Sequence, residues 1–385
     1  MNIIQNGQNH SDNNNSFADV VIKTPISVVI PTYHENDNIP SILERINTLR
    51  KHHNLKIEVL FMDDDSNDGS VETVENSGFD WARIIVRKND RGLSPAVIEG
   101  FRAAKYPVFI CMDCDLSHPP EKIPQMILAL SSGQQFVIGS RYVPGGSTDD
   151  DWGIFRWLNS LVATLLARPL TSARDPMSGF FALRKVDFDK AEALNPVGYK
   201  IALELIVKCG FDNVGEVPIH FTDRLHGESK LTFKEQLKYI QHLRRLYLHK
   251  FENAMHFIQF MIVGISGVAV NLSVLTLLLL LQLPETVCLA GGIAVSVVSN
   301  FLLNRRFTFS YARNQSIWRQ FFGFLGASAV GMAVNYGVAL YLRNSVLPDT
   351  PYALYFAALA GIGSGMVFNF LGNRYVVFRK RYIRK

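Results

Sequence analysis

The 385-residue chain has little cysteine, little tryptophan and little charge. Its four cysteines, Cys111, Cys114, Cys209 and Cys288, are scattered. Cys111 and Cys114 form a CxxC, but a zinc site needs a second ligand pair and none follows. A disulfide scaffold is excluded, and reduced thiols facing the cytosol are expected. The N-terminal MNIIQNGQNHSDNNNSF lacks the apolar region of a secretory signal. Its asparagine-rich composition predicts a disordered tail over residues 1–24. Acidic residues almost vanish after position 250. Residues 251–385 hold 11 Lys+Arg against 3 Asp+Glu, whereas the first 250 hold 28 and 31. That asymmetry points to a membrane surface and not to nucleic acid.

What the second half has is apolar length. Stretches at 256–281, 285–303, 319–342 and 352–372 each approach the roughly 20 residues that cross a bilayer as a helix. Arg305, Arg306, Arg313 and Arg319 lie between the second and third, and the tail NRYVVFRKRYIRK is also basic. The connections QLPET and RNSVLPDTP carry a single arginine between them. The positive-inside rule then predicts a multi-pass protein of the cell membrane, with both termini and the first 250 residues in the cytoplasm. The half also repeats. SNFLLNRRFTF (299–309) aligns with FNFLGNRYVVF (368–378) at an offset of 69, and Gly267 and Asn271 align with Gly331 and Asn335 at an offset of 64. Two hairpins of one kind are expected, their asparagines bonding between helices or lining a polar path for a headgroup.

Ahead of these stretches lies FKEQLKYIQHLRRLYLHKF (233–251). Leu237, Ile240, Leu243, Leu246 and Tyr247 recur at helical spacing between basic flanks. An amphipathic helix on an anionic bilayer face is predicted over 233–252. WGIFRWLNSLVATLLARPL (152–170) is too short and too interrupted by arginine to span, and reads as a second interfacial helix.

The first half alternates short β-branched runs with helical patterns. ISVVIPT (26–32) and IEVLFM (57–62) flank a helix marked by Ile39, Ile42, Leu43, Ile46 and Leu49. This is the pattern of a parallel α/β sheet, whose ligands bind at the carboxyl ends of strands. Polar clusters stand at those ends: Pro31 to Glu35, Asp63 to Gly69, and Asp113-Cys114-Asp115 after the strand VFICM. Carboxylates removed from water require an opposing charge. Oxygen ligands suit Mg2+ or Mn2+, and Mg2+ typically joins one or two carboxylates to substrate phosphates. A nucleoside diphosphate is the expected ligand.

The segments IPTYHE, MDDDSNDGS, RGLSPAV, MDCDLSHPP, IGSRYV, RDPMSGFFALRK and HGESKL together resemble family 2 glycosyltransferases of the GT-A fold. Within them the likeness is to polyprenyl-phosphate glycosyltransferases of the dolichol-phosphate mannose synthase type. The repeated hairpin resembles the GtrA-like membrane domain, a family associated with moving or placing polyprenyl-linked sugars. The resemblance implies an α/β GT-A domain over 25–232, Rossmann-like with a mostly parallel sheet. The amphipathic helix of 233–252 follows, then an all-α transmembrane domain of two helical hairpins over 253–385. It implies inverting transfer of a single sugar from a nucleotide sugar to a polyprenyl or dolichyl monophosphate at the cytoplasmic face. GDP-mannose is the favoured donor, with UDP-glucose and UDP-N-acetylglucosamine as alternatives.

Roles follow residue by residue from the same resemblance. Pro31, Tyr33, Glu35, Met62 and Asp64 would hold the nucleotide. Asp113 and Asp115 would bind the Mg2+ or Mn2+ and the diphosphate, beside the Cys114 backbone. Ser117 stands where mannose synthases often carry Gln; it is the candidate third metal ligand, though a water can take the place of so short a side chain. Arg141, Arg156, Ser160, Arg224 and Lys230 would grip phosphates, and Asp113, Asp115 and Arg141 would carry catalysis.

The chemistry agrees: arginine forks suit phosphate oxygens, and lysine supplies a point charge. A phosphate monoester has a second pKa of about 6, so the acceptor is already an anionic nucleophile without a general base. His118 and His226 are the available bases, and His226 reads better as a phosphate contact. A processive polysaccharide synthase would carry QxxRW; here Gly153 stands where that motif has Gln, ahead of Phe155-Arg156-Trp157. A flippase or scaffold with a degenerate transferase domain conflicts with the intact acidic clusters and Arg141. A homo-oligomer is compatible with all of this.

Overall fold

The computed structural model describes residues 23–149, 154–191, 194–195, 200–222, 233–348, 350 and 352–379. The chain divides after Lys250 into two compact units. The first is built on nine strands: β1 (Ile26–Thr32), β2 (Ile57–Asp63), β3 (Ala82–Val86), β4 (Val108–Cys111), β5 (Phe136–Ser140), β6 (Ser147–Thr148), β7 (Phe181–Arg184), β8 (Val214–Pro218) and β9 (His220–Phe221). Seven form one sheet in the order β3-β2-β1-β4-β7-β5-β8, and β6 pairs with β9. Every pair in the large sheet is parallel except those of β7, which runs antiparallel to β4 and β5.

Helices cover both faces because the strands are apolar on both. In β1, Val28 and Ile30 face a layer containing α1 (Ile39–His53), whereas Val29 faces one containing α2 (Leu93–Ala103). After β3 the chain returns past β1 and lays β4 on its other side. The strand order therefore reverses between β1 and β4, which opens a crevice at their carboxyl ends. β7 runs the other way, so the loop that enters it, residues 175–180, reaches the same edge.

Besides short helical turns, this unit also carries α3 (Ile123–Ser131), α4 (Ile154–Ala167), α5 (Ile201–Lys208) and α6 (Phe233–Lys250). The α6 helix stops at Lys250 because Phe251 leaves helical geometry at φ −124° and ψ 46°. It lies along α4: the Tyr239 hydroxyl donates to the Ala163 carbonyl (2.7 Å), and the Tyr247 hydroxyl donates to that of Leu166 (2.7 Å). Leu243 and Leu246 are buried, while Leu237 and Ile240 are exposed together with Leu158, Leu161, Val162, Leu165 and Leu166 of α4. Apolar side chains this exposed on neighbouring helices suit a bilayer surface.

In the second unit, α7 (Glu252–Leu280), α8 (Glu285–Leu303), α9 (Ile317–Tyr341) and α10 (Ala353–Gly372) supply four segments long and apolar enough to cross a membrane. They pair as two hairpins, α7 with α8 and α9 with α10. The last three helices each run on into a single π-helical turn, at Asn304–Thr308, Leu342–Val346 and Asn373–Val377. Each hairpin is closed by two reciprocal glycine–asparagine contacts. Gly267 packs on Asn300 and Gly292 on Asn271; Gly331 packs on Asn369 and Gly361 on Asn335. The second set repeats the first at the sequence offsets of 64 and 69. Absent side chains let the backbones approach, and the amides fill the remaining space. Gly267→Leu is expected to destabilise the detergent-solubilised protein by about 1–3 kcal/mol through overpacking. Gly264→Leu, at a glycine with nothing nearby, leaves the Tm unchanged.

Candidate active site

The loops after β1 and β2 are tied to each other. The His34 N–H donates to the Ser66 hydroxyl (3.0 Å), the Asn36 N–H donates to Asp68 Oδ2 (3.2 Å), and the Thr73 hydroxyl donates to Asn36 Oδ1 (2.6 Å). Asp65, Asn67 and Gly69 take φ of 59°, 53° and 94°, the left-handed turn that Asp, Asn and Gly adopt most readily. Within DDDSNDG most of the charge is matched internally. Asp63 accepts from the N–H and hydroxyl of Ser66. Asp64 forms an ion pair with Arg87 and accepts the Gly92 N–H at 2.6 Å. Asp65 pairs with Arg91. Arg87 is buried and also reaches Glu99 Oε2 (2.8 Å) and the Asp90 carbonyl (2.8 Å). The opposing charge that the sequence calls for at this cluster is therefore supplied by the fold itself. The second cluster finds its cations in the loop after β3, which the parallel pairing of β2 and β3 brings alongside.

The Asp113–Asp115 turn is held differently. The Asp113 N–H donates to His118 Nδ1 at 2.9 Å, so that nitrogen carries no proton and the ring is placed as a scaffold. His118 is buried, stacked on Phe180 with centroids 5.4 Å apart and edge-on to Phe221 at 5.7 Å. Asp115 Oδ1 accepts the N–H (3.2 Å) and hydroxyl (2.5 Å) of Ser117. Leu116 is forced to φ 64° between them, a strained conformation for a bulky residue. A Cβ at Gly179 would come within 3.3 Å of both Asp113 carboxylate oxygens, so glycine there keeps the space beside that carboxylate open.

Burial lifts the Cys114 thiol well above its ordinary pKa, and the charges of Glu35, Asp115, Asp113 and Asp68 add to the rise. The loops from β1, β2 and β4 thus converge around one buried and unreactive thiol.

Could these residues hold a divalent ion? The Asp113 side chain keeps 25% of its surface exposed. Among the described residues no group of three His, Cys, Asp or Glu side chains is arranged as a metal cage. Two carboxylates on one turn, with space beside them, fit an Mg2+-type ion that completes its shell with water and phosphate. Ser117 is 1% exposed, and its hydroxyl supports Asp115.

Arg141 follows β5. Its Nε donates to Asp175 Oδ2 (2.7 Å) and its Nη2 to Oδ1 (2.8 Å), a bidentate pair. Asp175 is fully buried, and its own N–H donates to Glu216 Oε1 at 3.1 Å. Burial works against the guanidinium charge, yet the hydrogen bonds and charge of Asp175 leave its pKa above the usual value. The guanidinium also lies over the rings of Tyr142 and Phe221, 5.2 and 5.1 Å from their centroids. The Tyr142 hydroxyl meets the Ser160 hydroxyl at 2.8 Å, which ties α4 to this segment.

Of the residues expected from sequence, Pro31, Tyr33 and Glu35 stand at the end of β1, and Tyr33 is exposed. Glu35 Oε2 accepts from Asn38 Nδ2 at 2.6 Å. Met62 is a correction: it is 0% exposed, packed inside the sheet against the α2 layer, and so cannot touch a nucleotide with its side chain. Arg224, Lys230 and His226 lie outside the described residues, as does the side chain of Arg156. Sequence reasoning missed Arg87, the scaffold role of His118, Asp175 and Glu216. Asp175 sits in the quoted RDPMSGF segment, but nothing in its spacing named Arg141 as its partner.

Residues 27–191 match the model for Glycosyl transferase family 2, and residues 259–379 match the GtrA/DPMS transmembrane domain. A dolichol-phosphate mannosyltransferase from Pyrococcus furiosus is 36% identical over 362 residues, 92% of this chain and 99% of that protein. The chain is a family 2 glycosyltransferase. This glycosyltransferase is also 44% identical over 247 residues to the Saccharomyces cerevisiae dolichol-phosphate mannosyltransferase, covering 61% of this chain and 92% of the yeast protein. A polyprenol monophosphomannose synthase from Mycolicibacterium smegmatis is 34% identical over 219 residues, covering 53% and 80%. Among solved structures, the glucosyl-3-phosphoglycerate synthase of Mycobacterium tuberculosis matches at a TM-score of 0.47 and 21% identity, over 62% of this chain and 82% of that one. In this glycosyltransferase the Asp113–Asp115 turn stands at the strand-order crevice, and Arg141, oriented by Asp175, follows β5 at the same edge.

Proposed function

We propose that this glycosyltransferase moves one mannose from GDP-mannose to a polyprenyl or dolichyl monophosphate, with inversion, at the cytoplasmic membrane face. The observation that carries the reading is that the Asp113–Asp115 turn and a cationic segment, Arg141-Tyr142, follow β4 and β5 at the same edge of the sheet, the latter tied through Ser160 to the apolar helix α4. The names of the relatives support the sugar and the lipid class.

Asp113 and Asp115 would hold an Mg2+ or Mn2+ ion, which when bound offsets the charge of the donor diphosphate. Glu35 and Tyr33 stand where the nucleoside would lie. Arg141, fixed by Asp175, offers charge to phosphate oxygens without needing to reorganise. Ser160 and the exposed leucines of α4 would place the acceptor phosphate and its chain. That phosphate needs no base, so His118 is left to its scaffold role. Attack from the face opposite the leaving diphosphate inverts the anomeric carbon.

The test is a donor panel. Purified full-length protein is incubated with dolichyl phosphate, Mn2+ and labelled GDP-mannose, UDP-glucose or UDP-N-acetylglucosamine. Lipid-linked label from GDP-mannose alone is the expected result. Label from a uridine donor alone would overturn the sugar, and none from any donor would overturn the reaction. Ser160→Ala is expected to raise the KM for dolichyl phosphate roughly three- to tenfold, with kcat little changed, as for one lost hydrogen bond in binding.

A further inference from the structure

The amino ends of β1, β2, β3 and β4 form the edge of the sheet opposite the crevice. β2 alone has seven residues, so the two edges stand about 20 Å apart. A cavity of about 220 Å3 opens at this second edge. Arg50, Lys56, Arg83 and Lys105 line it with positive charge, and Trp81 and Tyr106 supply flat rings. The lining carboxylates are Glu58 and Asp80. Arg50 lies over Trp81 at 6.0 Å and Lys56 over Tyr106 at 5.5 Å. Neither of these cations, nor Lys105, pairs with a carboxylate among the described residues.

Beneath the exposed lysines lies Glu58, closed on one side only. Its carboxylate is 7% exposed. Oε1 accepts the Ser27 hydroxyl (2.6 Å) and the Lys105 N–H (2.5 Å). Oε2 is buried and accepts nothing among the described residues; Arg83 Nη2, at 3.7 Å, is beyond hydrogen-bond reach. Arg83 donates that nitrogen to the Ala103 carbonyl (2.8 Å), and its buried Nε–H also lacks an acceptor. Cationic rims are ordinarily solvated faces. A buried acceptor and a buried donor left open at one cavity are not, because each loses its hydration without replacement.

We propose that this cavity binds a small phosphorylated polyol, its phosphate among Arg50, Lys56 and Lys105 and a hydroxyl donating to Glu58 Oε2. Arginine and lysine suit a phosphate monoester, which is mostly dianionic at neutral pH. An anion lacking a hydroxyl would bring the Glu58 carboxylate only repulsion. A bare metal cation would be opposed by four positive side chains. The cavity is smaller than the roughly 300–1,000 Å3 of drug-sized sites, so it admits one phosphorylated ring and excludes a whole nucleotide sugar. This site is distinct from the crevice, and it stands whichever sugar is transferred there. Two sources carry the chemistry: a free sugar phosphate and the phosphorylated inositol headgroup of a lipid.

The experiment is calorimetric titration of the full-length protein in detergent, with GDP and Mg2+ present to occupy the crevice. The probes are mannose, inorganic phosphate, mannose 6-phosphate and dioctanoyl phosphatidylinositol 4-phosphate. Mannose alone gives no heat. Mannose 6-phosphate is expected to bind roughly tenfold tighter than inorganic phosphate, as for one added charge-assisted hydrogen bond. Replacing the exposed pair together, Lys56→Gln with Lys105→Gln, is expected to weaken that binding roughly tenfold or more, with the Tm unchanged. The Lys105 N–H that holds Glu58 is backbone and survives the change. A lipid probe that binds tighter than the sugar phosphate, and loses that affinity in the double variant, assigns the cavity to a headgroup. The reverse order assigns it to a free sugar phosphate. Equal affinities for inorganic phosphate and both polyols would overturn the contact with Glu58. No heat from either polyol up to about 10 mM, or affinities within about twofold of wild type in the double variant, would overturn the site.

Discussion

Asp115→Asn is expected to lower sugar transfer at least about a hundredfold while leaving the Tm within a few degrees of wild type. Asp115 lies next to a turn already closed by Ser117, and an asparagine Oδ1 can still accept the same two hydrogen bonds. What disappears is the charge. On the proposed reading, one carboxylate alone would hold a magnesium-type ion poorly, and the donor diphosphate would be left without that cation's charge. Three readouts check this: the initial rate with GDP-mannose, its Mn2+ dependence, and calorimetric binding of GDP with and without Mn2+. Wild type should show a manganese-dependent heat that the variant lacks. Equal heats, or a rate within about tenfold of wild type, would remove Asp115 from the metal site.

Arg87→Met is the counterpart in stability. It is expected to cost about 3–5 kcal/mol, the usual penalty for removing one partner of a buried ion pair. The Arg87 side chain is 1% exposed and touches Asp64, Glu99 and the Asp90 carbonyl, so its loss strands a buried carboxylate and frees the loop after β3. Asp64→Asn with Arg87→Met should recover part of the loss, because removing both charges deletes the stranded one. Chemical denaturation of the wild type, both single variants and the double variant measures this coupling. Additive costs would show that Arg87 acts by packing alone.

The α/β sheet was legible because its strands are uniform β-branched runs and its acidic clusters follow them at once. The carboxyl-end rule then gathered those clusters at one edge. The membrane half was legible from apolar length and from its repeat. What could not be read was which charge answers which. Asp64 and Arg87 are 23 positions apart and Arg141 and Asp175 34, and no local spacing encodes such pairs. The acidic run therefore read as one electrostatic problem, whereas the fold solves much of it with its own arginines, Arg87 and Arg91. Met62 was misplaced for a related reason. Strand position alone gave its distance along the sheet but not the face it points to.

The glycine–asparagine interlocks inside each membrane hairpin have a mechanical consequence. A hairpin closed at two levels by a side chain seated in a notch resists sliding, splaying and twisting, since each would drag an amide out of its seat. Each pair of helices is thereby one stiff blade, and the two blades meet on an aromatic seam where Phe301 packs against Phe321 and Phe309 stacks on Phe378.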